Sequence, residues 1–331
     1  MNGVRSERAF RAMGSDAHVF VWQDRHDPTD AVELLDGACA EIDRLEHLWS
    51  RFLPESDVTR LNRGAGTAVS IAAETAQLLA FARDMSRATT GRFDPSVLPD
   101  LLAAGYDRSF ELLRAAGGVA TATRARTGAT RRGALEHVVL DASRGTATLP
   151  AGAAIDLGGV GKGWTADLIT EWLLGAGAVA ACVNLGGDLR TRGVVPEPDG
   201  LIVGVEDPFG GPDLALLRIH DAGVATTART RRHWPAATCA PRQVGPSDTA
   251  VDTPVDMHHV IDPATGRPAA TGIAAVTVVA PSGALAEVAA KAVFLAGEDD
   301  LDPWLEALCA SALIVHDDGA TRTLGDLPEL P

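Results

Sequence analysis

The chain of 331 residues carries 44 acidic against 29 basic residues, a formal net charge of -15, and is 46% hydrophobic. That is the composition of an ordinary soluble globular protein, long enough for one big domain or two packed lobes. No basic stretch offers a phosphate footprint, which excludes nucleic-acid binding; the cluster Arg229, Arg231 and Arg232 suffices only for a small anionic ligand. The first residues carry charge with no apolar stretch behind them, and no apolar run reaches bilayer length, so neither a secretory signal nor membrane insertion is expected. Cys39, Cys182, Cys239 and Cys309 lie far apart without metal-ligand spacing. They read as thiols in a reducing compartment, and a cytoplasmic location is expected.

In chain order, polar–apolar alternation over 9–22, about a Met13-Gly14-Ser15 turn, predicts a strand. Val32, Leu35, Ile42, Leu45 and Leu48 recur at helical spacing and predict a helix over 29–49, capped by Asp27 or Thr29. A second helix is expected over 72–88, up to the Thr89-Thr90-Gly91 break. Residues 94–112 are punctuated by proline and glycine, and 115–133 reads as a loop or lobe boundary. Strands at 136–141 and 146–149 lead into a glycine run, followed by a helix over 163–175 with Trp164, Leu168, Ile169 and Trp172 facing inward. Strands are expected at 179–184, 201–206, 214–219 and 223–227. The Pro/Thr/Asp-rich excursion at 235–257 reads as a mobile loop and a candidate lid. A strand at 273–280, helices at 283–297 and 302–310, and a strand at 312–316 close the chain. Strands and helices without strict βαβ alternation predict an α+β fold with mixed sheets.

Only two of the basic residues are lysines, Lys162 and Lys291. Drift toward arginine would leave such survivors anywhere; a need for a compact, mobile ammonium would place them at a site. Lys162 lies in the glycine run Asp156-Leu-Gly-Gly-Val-Gly-Lys-Gly163. There a strand ends and a helix begins, an arrangement suited to a phosphate or, equally, to a tight strand-to-helix turn. The P-loop template fails at Gly163 and Asp156, and the dinucleotide fingerprint fails at Trp164. Asn184-Leu-Gly-Gly-Asp188 is a second glycine turn with an acidic terminus, equally good as a hairpin turn. His258-His259-Val-Ile-Asp-Pro-Ala-Thr-Gly266 puts imidazoles at a loop edge, where one can act as general base. Glu287 and Lys291 stand one turn apart on a helix apolar nearly all round, and buried charges there need a purpose.

Taken in order, these segments resemble the FAD:protein FMN transferase (ApbE) family over about residues 9–316. The resemblance rests on Met13-Gly14-Ser15, Ser50-Arg-Phe-Leu-Pro-Glu-Ser-Asp-Val-Thr-Arg-Leu-Asn62, Gly91-Arg92-Phe93-Asp94, the Asp156–Gly163 loop, Asn184–Asp188, Val224-Ala-Thr-Thr227, His259–Gly266 and the 284–297 helix. It implies two intimately packed lobes of mixed β-sheet with flanking helices and a ligand cleft between them, in a single domain over 9–316 with tails at 1–8 and 317–331. It also implies that FAD is bound and its pyrophosphate cleaved, the FMN half passing to a Thr or Ser of a client flavoprotein with release of AMP. By resemblance, Met13, Phe52, Arg92, Phe93, Asp94, Asp156, Lys162, Thr227 and the Val260 backbone contact FAD, and His259 is the catalytic base. The family's magnesium (Mg2+) ligands are a helix Asp, a Thr or Ser four residues on, and a glycine-loop carbonyl; here those places hold Glu287, Lys291 and Gly159. A protonated lysine cannot ligate a metal, so Lys291 is expected to stand in for the ion, as a second catalytic residue. An altered site also leaves open an FAD pyrophosphatase or a non-catalytic flavin binder. After Thr227 the family's Ser-Gly-Asp is replaced by Ala228-Arg229-Thr230.

Overall fold

The computed structural model describes residues 3–24, 30–115, 132–195, 200–235, 256–297 and 301–330. Strands β1 (Gly3–Ala12) and β2 (Ser15–Asp24) form a hairpin whose two turn residues, Met13 and Gly14, both have positive φ, 50° and 66°. A two-residue hairpin needs that left-handed geometry, which glycine adopts freely and methionine does not. Helix α1 (Ala31–Trp49) starts at Asp30, whose side chain accepts from Val32 N at 2.8 Å, and buries the stripe Leu34, Leu35, Ala38, Ile42, Leu45 and Trp49. After it come α2 (Asp57–Arg63), β3 (Val69–Ser70), α3 (Ala73–Ala88), α4 (Leu98–Ala103), α5 (Phe110–Ala115), β4 (Val139–Asp141) and β5 (Thr146–Thr148). Strands β3, β5 and β4 make a small three-stranded sheet.

Helix α6 (Gly161–Gly175) leads into the hairpin β6 (Ala180–Leu185) and β7 (Asp188–Gly193), then a second hairpin of β8 (Leu201–Val205) and β9 (Ala215–Ile219). Next come β10 (Ala222–Ala228), β11 (His233–Pro235), β12 (Asp256–His258), β13 (Ile261–Asp262), β14 (Arg267–Pro268) and β15 (Ile273–Ala280). Helices α7 (Gly283–Ala296) and α8 (Asp302–Ala307) and strands β16 (Ser311–His316) and β17 (Thr321–Leu324) finish the chain.

The organising element is an eight-stranded sheet, ordered β1-β2-β6-β7-β10-β15-β16-β17. The fold class is α+β, but the expected mixed pairing is corrected: each of these pairings is antiparallel. Tight hairpins join β1 to β2 and β6 to β7, and tight hairpins can only pair strands antiparallel. One face packs on α1 and α6 through Val19, Val21, Ile42, Ile169 and Val183, in a core that also takes in Val288 of α7. The opposite face, with Trp22, Cys182 and Val224, is covered by Leu217 and Ile219 of the β8–β9 hairpin. Strand β15 is buried along its whole length, which accounts for its unbroken apolar run.

Two expected tails are corrected as well. Residues 3–8 belong to β1, and Thr321–Leu324 pairs with β16 as the far edge of the sheet. Both are edge strands with little apolar patterning. Within the expected loop 115–133 and lid 235–257, residues 116–131 and 236–255 lie outside the described residues.

Candidate active site

The glycine loop is held from three sides. Asn62 of α2 clamps Ile155, donating to its carbonyl at 2.9 Å and accepting from its N–H at 2.8 Å. Asp156 N donates to Pro95 O at 2.9 Å. The Asp156 carboxylate accepts from Gly158 N at 2.7 Å and pairs with Arg51 Nε at 2.9 Å. Gly158, Val160, Gly161 and Gly163 all have bonded amides, the first three to acceptors within residues 156–157. These four amides thus serve the loop's own turn and the neighbouring helix.

Of the loop glycines, Gly163 serves helix packing. A Cβ on Gly163 would collide with the Gly283 carbonyl, and one on Gly223 of β10 with the backbone of Ser282. Their absence lets the first turns of α6 and α7 touch. Across that contact Gly163 N donates to Glu287 Oε2 at 2.8 Å, so a carboxylate of α7 satisfies a first-turn amide of α6. In return Asp167 of α6 accepts from Gly283 N at 2.7 Å and Ala284 N at 2.9 Å at the start of α7. Burial raises the Asp167 carboxyl above its ordinary pKa, against the pull of those two amides and Arg190.

Glu287 is 1% exposed. Its other oxygen, Oε1, lies 3.3 Å from Lys291 Nζ, which also approaches the Glu287 carbonyl at 3.4 Å. The lysine stem passes the loop at Gly159, where a Cβ would stand 3.0 Å from Lys291 Cε and 3.6 Å from Phe93 Cε2. Lys162 is paired with Asp188, the acidic end of the β6–β7 turn. Burial raises the Glu287 carboxyl, with Lys291 and Lys162 opposing and Asp188 reinforcing. Both lysines of the chain thus bear on one buried glutamate. Two ammonium groups and two carboxylates leave the cluster formally neutral, the state in which buried charge is tolerable.

These donors do not fit a divalent ion. Magnesium takes about six oxygen ligands in near-octahedral geometry. Here one Glu287 oxygen faces an amide and the other an ammonium, and Lys291, which is no ligand while protonated, fills the neighbouring position. Among the described residues no group of three or more His, Cys, Asp or Glu side chains could hold a metal.

His258 and His259 divide their tasks. The buried His258 ring lies 3.0 Å from Ala269 O through Nε2 and accepts from Val260 N at 3.3 Å through Nδ1, an arrangement that suits the neutral Nε2–H tautomer. His259 N donates to Arg232 O at 3.2 Å, while its ring Nδ1 is shielded and has no partner among the described residues. Desolvation first, then Arg232, Lys291 and His258, hold the ring well below the ordinary histidine pKa. It is a neutral imidazole at neutral pH, and it feels the Lys291 charge.

Other residues named from sequence fall around this cluster. Phe93 is buried against the loop, and Asp156 is within it. Met13 N donates to Glu46 at 2.7 Å, and its sulfur is 3.6 Å from the Thr165 hydroxyl in α6. Thr227 is buried on the same face of β10 as Ala225, which packs with Ala286 and Ala290 of α7. Phe52, 41% exposed, carries the Arg51 guanidinium 4.1 Å above its ring. Arg92 Nη1 donates to Thr90 Oγ1 at 2.9 Å. Asp94 accepts from Ser96 N at 2.8 Å and Gly133 N at 2.7 Å, which makes it an anchor of the backbone. Val260 donates its N–H to His258 Nδ1 at 3.3 Å, and its carbonyl accepts from Ala269 N at 3.0 Å. Sequence reasoning missed Arg51 as the partner of Asp156, Asp188 as the partner of Lys162, and Asp167 as the cap of α7. Only Asp188 had a signal, its place at the end of a Gly-Gly turn.

Fold and site define an α+β protein whose strand-to-helix glycine loop faces a buried glutamate flanked by ammonium groups. The ApbE family model matches residues 13–314, and the chain belongs to the ApbE family. Relatives named FAD:protein FMN transferase include those of Treponema pallidum, 31% identical over 44% of this chain and 39% of the relative, and of Haemophilus influenzae, 25% identical over 76% and 68%. A third, from Rhodobacter capsulatus, is 27% identical over 88% of this chain and 51% of its own length. The matched stretch thus spans between 39% and 68% of these relatives. Among solved structures, the ApbE protein of Thermotoga maritima superposes with a TM-score of 0.76 at 24% identity over 96% of both chains. The flavin transferase ApbE of Vibrio cholerae does so with a TM-score of 0.73 at 19% identity over 97% and 96%. At those identities the likeness speaks for the fold.

Proposed function

We propose that the chain is a flavin transferase that takes FAD and attaches its FMN half, through a phosphoester, to a Thr or Ser of a client flavoprotein. In balanced form, the acceptor hydroxyl oxygen bonds to the FMN phosphorus. The bond from that phosphorus to the bridging oxygen breaks, and AMP leaves with the electron pair. The hydroxyl proton passes to His259. The observation that carries this reading is the part-buried His259, whose ring Nδ1 is shielded and unpartnered among the described residues and whose pKa is held below the ordinary value, in a family whose relatives bear that name. A base must be unprotonated before it acts, and a cation must meet the charge that grows on the leaving phosphate. Lys291, with Lys162 behind it, offers that charge. Phe93 and the Arg51–Phe52 pair offer apolar and stacking surface for a planar ring.

No helix among the described residues is long and apolar enough to cross a membrane. Cys39, Cys182 and Cys309 are free thiols. The free thiols suit the cytoplasmic location we assign.

The test is incubation of the full chain with FAD and a threonine-containing acceptor peptide, read by mass. The reading expects a peptide carrying FMN and one AMP for each peptide modified. Free FMN with AMP and an unmodified peptide would make the protein a pyrophosphatase; intact FAD would make it a binder only.

A further inference from the structure

The donor set around Glu287 disagrees with a divalent ion, and that disagreement has a positive content. We propose that Lys291 is a built-in cation: its ammonium, clamped between Glu287 and the glycine loop, does the electrostatic work of a metal at the phosphoanhydride, and the chain binds FAD without divalent metal. The inference rests on the flavin reading above.

Four observations support it. The chain has only two lysines, and both bear on the same buried glutamate. The stem of Lys291 packs closely on the loop: a Cβ at position 159 would stand 3.0 Å from Cε, so the lysine would have to shift to admit one. Glu287 holds the ammonium from one side only. Among the described residues both acceptors of Lys291 Nζ belong to Glu287, at 3.3 and 3.4 Å, which leaves one of three N–H directions for a ligand oxygen. The Lys291 side chain is 20% exposed while Glu287 is 1% exposed, so the ammonium lies on the open side of the pair.

Each alternative cation is constrained. Lys162 is held by Asp188, and the amides of Gly158, Val160, Gly161 and Gly163 are bonded. Lys291 keeps an N–H direction open beside these groups, at Gly159, where a diphosphate reaching the loop can take it. A lysine supplies one charge where magnesium supplies two, and it cannot draw electrons from the leaving oxygen as a Lewis acid does. Binding is preserved by this exchange better than rate.

The experiment titrates FAD into the full chain, following flavin fluorescence, once in EDTA and once in millimolar Mg2+; Mg2+ alone is titrated by calorimetry. The proposal expects the same FAD affinity in both media and no heat from Mg2+ alone. Tightening of FAD binding by Mg2+ of about ten-fold or more, or saturable Mg2+ binding to the free protein, overturns it while leaving the flavin reading intact. No FAD binding in either medium overturns the flavin reading and this inference together. Glu287→Gln/Lys291→Met, which removes both charges and keeps both shapes, should retain the wild-type melting behaviour and lose about ten-fold or more in FAD affinity. Unchanged affinity in that folded variant overturns the proposal. Glu287→Asp/Lys291→Thr restores oxygen donors and should make FAD binding Mg2+-dependent; continued indifference to Mg2+ counts against it.

Discussion

The backbone N–H of Gly163 lies 2.8 Å from the Glu287 carboxylate, so one side chain of α7 caps α6 and at the same time holds Lys291. Helix start, helix packing and site charge therefore stand or fall together. Glu287→Ala leaves a first-turn amide and a part-buried ammonium without their partner. Breaking a buried pair from one side costs about 3–5 kcal/mol, and denaturant unfolding should show a loss of that order. A loss near zero would mean the carboxylate is not the tie between the helices.

A contrast between neighbouring glycines tests the packing account. Gly163→Ala drives a methyl into the Gly283 carbonyl, whereas Gly161, two residues earlier, has open space around its Cβ position. Overpacking of this kind costs about 1–3 kcal/mol. Gly161→Ala should be neutral or slightly stabilising, because alanine gives up less chain entropy on folding. Thermal melting of the two variants side by side checks the ordering.

The apolar helix α7 and strand β15 were legible because burial on every side writes a continuous hydrophobic run. Glu287 and Lys291 stood out against that run for the same reason. Strand β7 was not legible: its buried residues include Asp188, Arg190 and Thr191, so it lacks the alternation that marks a strand. Asp188 is paired with Lys162, and Arg190 with Asp167 and Asp221, partners that only the tertiary fold supplies; the Thr191 hydroxyl has no partner among the described residues. Tertiary pairing also adds structural tasks to residues that the sequence marks only as ligand contacts. Asp94 also accepts from Gly133 N and the Val260 carbonyl from Ala269 N, partners that the sequence does not mark.

Histidine burial should appear in the pH dependence of stability. His258 and His259 have native pKa values below the ordinary 6.5, so below pH 6.5 the unfolded chain binds protons that the native chain refuses. Their contribution is present above that pH and is lost as pH falls toward the native values, by up to about 1.4 kcal/mol per pH unit for each ring. The raised Glu287 and Asp167 work in the opposite sense, favouring the native state as pH falls. The difference between wild type and His259→Gln isolates the His259 share. Stability curves that run parallel from pH 7 to pH 5 would show that its ring is not held neutral.

Replacing the same histidine separates chemistry from binding. His259→Ala should abolish transfer of FMN to an acceptor peptide while FAD affinity stays within about three-fold, since a base acts on the acceptor hydroxyl and not on the bound flavin. Turnover at the wild-type rate would remove His259 from the reaction.

Gly159→Val probes the seat of the lysine without touching its charge. The added side chain meets Lys291 Cε and Phe93 and should push the ammonium off the loop. FAD binding should weaken by about ten-fold, with the melting temperature changed far less than in Gly163→Ala. Calorimetry with FAD reads the effect, and unaltered affinity would show that the seat is incidental.

Most direct of all is a crystal of the full chain grown with FAD in EDTA. The account expects the diphosphate beside Gly159, with a phosphate oxygen at about 3 Å from Lys291 Nζ. A diphosphate bound elsewhere, or Lys291 still turned wholly onto Glu287 with FAD in place, would contradict it.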